Sequence, residues 1–82
     1  MTRADAQRLL DAIEPGHRLA VQVMRTKHGS DLAAVARWRG EHAFRATEVE
    51  ALRDLVRGAY RRACLPVPEA ATAPQPALPG VR

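Results

Sequence analysis

Arg53, Arg57 and Arg61 recur every four residues with Arg62 beside the last, so on a helix three or four guanidinium groups line one stripe about three turns long. Such a stripe neutralises phosphates, and a helix fits the major groove of DNA. A plainer role is open to the same residues. Glu48, Glu50 and Asp54 come early in the segment and the arginines late, which complements a helix dipole and forms i, i+3 and i, i+4 pairs. Upstream, Arg37-Trp38-Arg39 and Phe44-Arg45 interleave rings with cations, the arrangement that lets bases stack beside phosphate contacts. A small chain with one Trp, one Phe and one Tyr needs its rings inside, so Trp38 and Phe44 are expected mainly in the core. The candidate nucleic-acid contacts are therefore Arg37, Arg39, Arg45, Arg53, Arg57, Arg61 and Arg62.

Other chemistry is sparse. His17, His28, His42 and Cys64 lack the short spacing that lets neighbouring ligands grip one zinc, so neither a metal nor a cofactor is expected. Cys64 is expected as a small buried apolar residue. No nucleophile elbow, P-loop, glycine-rich dinucleotide turn or HExxH is present. The expectation is a protein that is not an enzyme.

The elements that position these groups are read as helices. Ala6, Leu9, Leu10 and Ile13 follow helical spacing after Thr2, with Asp5 in the first turn, which predicts a helix over 3–14 ended by Pro15-Gly16. Residues 17–28 are ambiguous: Leu19, Val21 and Val23 alternate like a strand, while Leu19, Ala20, Val23 and Met24 form a helical stripe. A strand needs a partner for its backbone, and no other segment looks like one, so this stretch is taken as helix, capped by Gly29. Ser30 starts a third helix over 31–39 that buries Leu32, Val35, Ala36 and Trp38, and residues 41–46 form a turn with Phe44 as a core plug. Thr47-Glu48-Val49-Glu50 is a capping box opening a helix over 48–64, which Pro66 ends.

The fold expected is all-α: a small three- to four-helix bundle over 1–65 with a disordered Pro/Ala-rich C-terminal tail over 66–82, which holds five of the six prolines. Pro76-Ala77-Leu78-Pro79 matches PxxP spacing only as any such tail does. So few structured residues bury little apolar surface, which points to a homodimer. A single cysteine precludes an internal disulfide and fits the cytoplasm, and no apolar run is long enough for export or membrane insertion. Net charge is +4, with seven Arg/Lys against four Asp/Glu in 32–64; twelve arginines to one lysine is also what GC-rich codons produce.

Asp31 to Leu52 can be laid over a helix-turn-helix, with Ala36 at the small position, Gly40 at the turn and Val49 in the second helix, although Glu41 and Ala46 depart from the usual apolar pattern. These features lead to an expected small regulator, binding DNA through basic helices. The alternative is an adaptor, antitoxin-like neutraliser or phage-type inhibitor that docks exposed helix faces on an acidic or apolar protein partner.

Overall fold

Alternation of apolar side chains along residues 19–25 is the period of a strand. The computed structural model, which describes residues 1–29 and 31–72, has α1 (Arg3–Asp11), β1 (Ala20–Arg25), β2 (Asp31–Trp38), β3 (Glu41–Arg45) and α2 (Glu48–Arg62), followed by a 3-10 turn at Glu69–Ala71. The three strands form one antiparallel sheet in the order β1-β2-β3. The expected all-α bundle is thus corrected to a mixed α/β domain, with two helices against a three-stranded sheet. The helices expected over 17–28 and 31–39 are the neighbourhoods of β1 and β2, and the turn expected over 41–46 holds β3.

The backbone of β1 finds its partner in the very next segment. That segment hides its strand character because both faces of its middle are apolar: Ala33, Ala34, Val35 and Ala36 are all buried, so no polar residue marks the alternation before Arg37. Val21, Ala36 and Ala43 stand opposite one another across the sheet, as do Gln22, Val35 and Phe44. Only two residues, Arg39 and Gly40, separate β2 from β3, and both have positive φ (50° and 77°). Positive φ at both central residues defines a type I′ hairpin turn.

Ala34, Ala36, Trp38 and Ala43 form the inner face of the sheet and share one core with Ala51, Leu52, Leu55, Val56, Ala59 and Tyr60 of α2 and with Ala6 and Leu10 of α1. Among the described residues eight of the fifteen buried apolar side chains are alanines, so helix and sheet approach closely and little volume separates them. Ala36→Leu should therefore overpack this layer at a cost of about 1 to 3 kcal/mol, a drop in Tm of at least about 4 °C. Thermal melts followed by circular dichroism check it; an unchanged Tm would mean that the seam is slack.

Both helix starts lie where the sequence places them, but at Thr47 the Glu50 carboxylate bonds the cap hydroxyl and not the cap N–H that a capping box requires. The Thr2 hydroxyl accepts the Asp5 N–H (3.1 Å) and the Asp5 carboxylate accepts the Thr2 N–H (3.4 Å). The Thr47 hydroxyl accepts the Glu50 N–H (3.2 Å) and donates to the Glu50 carboxylate (2.9 Å). Arg3 joins α1 to α2 through two bonds to Glu48 (2.7 and 2.9 Å), and the Tyr60 hydroxyl donates to the Leu9 carbonyl (2.6 Å). Gln7 ties α1 to the start of β1, accepting from the Leu19 N–H (2.7 Å) and donating to the His17 carbonyl (2.9 Å). After α2, Cys64 adopts the left-handed region (φ 59°) and is exposed, not buried as expected. The chain then continues to Ala71, which is fully buried in the core cluster; the PxxP spacing at 76–79 lies outside the described residues.

Candidate functional site

Side chains across paired strands share a face, and the register divides the seven candidate arginines among several surfaces. Arg37 lies on the outer face of the sheet, between Ala20 and His42. Arg39 sits at the tip of the hairpin, paired with Glu14 (2.7 Å) and Glu41 (2.9 Å). Arg53 is half-buried on α2, with its Nε enclosed and unbonded. Arg45, Arg57, Arg61 and Arg62 are brought together along a cleft of about 470 Å³ between β3 and α2. Within it Asp54 pairs with both Arg45 and Arg57, and Arg62 reaches Glu41 (2.7 Å). Much of the expected stripe is therefore neutralised inside the protein by acids from β3 and from α2 itself.

Among the described residues no helix packs on the outer face of the sheet. Its central row is Gln22, Val35 and Phe44, flanked by Met24 and Ala33. Val35 and Ala33 are 8% exposed, whereas Met24 is 39% and Phe44 55% exposed. Phe44, expected in the core, is thus the largest apolar group that the sheet presents outward. One end of this face is basic: Arg18, Arg37 and Arg39 line a shallow depression of about 260 Å³ together with His42 and with Glu41, which pairs with Arg39. Among the described residues no carboxylate pairs with Arg18 or Arg37, so this end keeps its charge. The expectation of a buried Phe44 overlooked a signal within Glu41–Arg45, where His42 and Phe44 fall on one side of a strand and Ala43 on the other.

Trp38, by contrast, is a core residue as expected, 1% exposed. The Arg39 guanidinium lies 4.5 Å from its ring centroid, and the His17 ring meets it edge-on at 5.7 Å. Glu14 accepts from both His17 (2.5 Å) and Arg39, and these bonds, His17 first, hold its carboxyl below the usual range. Asp5 is lowered by its bonds with Thr2, and Glu48 by its bond from Arg3. A carboxylate depressed in the folded state stabilises above its ordinary range and loses that contribution as pH falls through the lowered value. Tm should therefore hold to about pH 4 and fall below it, less steeply in Glu14→Gln. Melts across the acid range test this; an identical acid slope in the variant would contradict it.

No family model matches the chain, and no curated protein or solved structure is significantly similar to it. No helix among the described residues is long and apolar enough to cross a membrane. The helix-turn-helix reading falls with the fold: residues 31–45, which were to supply its first helix and turn, are the β2–β3 hairpin. With it falls the expected small DNA-binding regulator. The alternative, docking through exposed helix faces, is corrected as well, since the apolar face of α2 is buried under Ala51, Leu52, Leu55, Val56, Ala59 and Tyr60.

Proposed function

We propose that this domain is a docking unit, not an enzyme, that binds an apolar and acidic surface of a protein partner on the open face of its sheet. The observation that carries the proposal is Phe44, 55% exposed and paired with Val35 of the central strand on a face that no helix covers among the described residues. Aromatic side chains of this kind anchor protein interfaces. The cationic end at Arg18 and Arg37, which no carboxylate pairs among the described residues, asks for carboxylates on the partner. The single thiol, Cys64, is exposed and suits a reducing cytoplasm.

The homodimer expected from the small core uses the same face. Three strands spaced about 4.8 Å apart, each contributing about five residues at about 3.3 Å, make a platform of a few hundred Å². A stable pair buries about 800 Å² on each partner. Stacking two copies is accordingly a weak association, and a partner that also engages the margins of the sheet binds better. The test is co-purification of tagged wild-type and Phe44→Glu chains from cells that produce the protein, with sedimentation velocity of each alone. A protein, or a second copy of the chain, held by the wild type and lost in the variant is the expected result. Equal recovery by both would overturn the proposal.

A further inference from the structure

Trp38 and Glu41 close a two-residue turn, so that pair exchanges backbone hydrogen bonds, and so do the pairs two residues on, Ala36 with Ala43 and Ala34 with Arg45. His42 and Phe44 then direct their N–H and C=O groups to the opposite side, the edge of β3 that pairs with no strand among the described residues. The Phe44 carbonyl bears this out, since the Arg45 side chain donates to it at 2.6 Å. An edge of this kind is a template for another strand.

Beside that edge lies the cleft between β3 and α2. Arg45, Arg57, Arg61 and Arg62 line it with one carboxylate, Asp54. Asp54 is shared by Arg45 and Arg57, while Arg61 is exposed and makes no ion pair among the described residues. Gly58, in the middle of α2, also lines the cleft, and a Cβ there would meet Arg62 Nη1 at 3.3 Å. A glycine in a helix interior costs about 1 kcal/mol relative to alanine, and here it keeps the helix wall of the cleft clear of a side chain.

We infer that the free edge of β3 takes an extended, acidic segment of the partner as a fourth strand, with carboxylates entering the β3–α2 cleft. The inference rests on the docking reading and names the partner chemistry at the margin of that face. Side chains of an added strand alternate between faces: one set lies outside beside Phe44 and His42, the other turns toward Arg57 and Arg61. Apolar residues suit the first set and aspartate or glutamate the second. Main-chain bonds to His42 and Phe44 hold the segment whatever its sequence, and the alternation selects it.

The experiment uses the ¹⁵N-labelled full chain and a blocked seven-residue peptide that alternates valine and aspartate, with a valine–lysine peptide as counterpart. Saturable shifts and slowed hydrogen exchange are expected at the His42 and Phe44 amides. Affinity should fall at least about tenfold in Arg61→Glu, about 1.4 kcal/mol, with helicity retained because Arg61 is exposed. Equal binding of the lysine peptide, wild-type affinity in Arg61→Glu, or no saturable shifts would overturn the inference. So would shifts confined to Met24, Ala33 and Val35 without protection of the edge amides, a result that leaves docking on the open face standing. Equal recovery by Phe44→Glu in the co-purification would instead remove the docking reading, so the two failures are told apart.

Discussion

Trp38→Ala is expected to be the most destabilising single truncation in the domain, lowering Tm by about 12 °C or more and bringing a measurable unfolded fraction to room temperature. Trp38 is the largest of the fully buried side chains; Leu10, Leu52 and Val56 are the next, and most of the remaining core is alanine. Truncating a buried Trp costs about 3 to 5 kcal/mol. The total stability of a chain this size, at about 0.05 to 0.15 kcal/mol per residue, is only about 4 to 12 kcal/mol. One term acts the other way: the Trp38 Nε1 is buried with no acceptor among the described residues, and removing an unsatisfied donor returns about 1 kcal/mol or more. The cost should thus sit toward the lower end of the range. Urea unfolding followed by circular dichroism measures it, and a loss under about 1 kcal/mol would mean that the alanine seam, not the indole, holds the sheet to the helices.

Phe44→Glu should do the reverse, leaving the fold and removing the interaction. More than half of the Phe44 side chain is already in water, so the substitution gives up little burial and the change in stability should stay within about 1 kcal/mol. At the centre of an interface the same change removes an aromatic anchor and sets a carboxylate against an apolar and acidic partner. Anchors of this kind are worth about 2 kcal/mol or more, so affinity should fall by at least about thirtyfold. Titration calorimetry with the recovered partner gives the number. Wild-type affinity with intact folding would show that the open face is not the binding surface.

The two outcomes differ because Trp38 and Phe44 stand on opposite faces of the sheet, and that difference was only partly legible in the sequence. The two helices could be read from short-range signals: Thr2 with Asp5, Thr47 with Glu50, the spacing of Leu52, Val56 and Ala59, and the stop at Pro66. The strands could not, because β1 looks unpartnered until β2 is recognised, and β2 carries alanine on both faces. Alanine favours helices on its own account, while the strand is imposed by pairing and by burial under α2, which are tertiary effects. With β3 read as a turn, Phe44 has no face and falls to the core. The arginines show the same limit. Spacing alone suggests a free stripe, but Asp54 meets Arg45 from β3 and Glu41 meets Arg62 from α2, contacts between residues distant in sequence. What survives from the sequence is the gathering of Arg45, Arg57, Arg61 and Arg62, now around a cleft beside a strand edge.

The most direct test of docking on the open face is to place a photoreactive phenylalanine analogue at Phe44 and, separately, at the exposed Arg8 of α1, and to irradiate cells producing each chain. The proposal predicts a discrete cross-linked species from position 44, either a partner protein or a second copy of the chain, and none of that mass from position 8. The same bands from both positions, or none from position 44 in a folded chain, would contradict it.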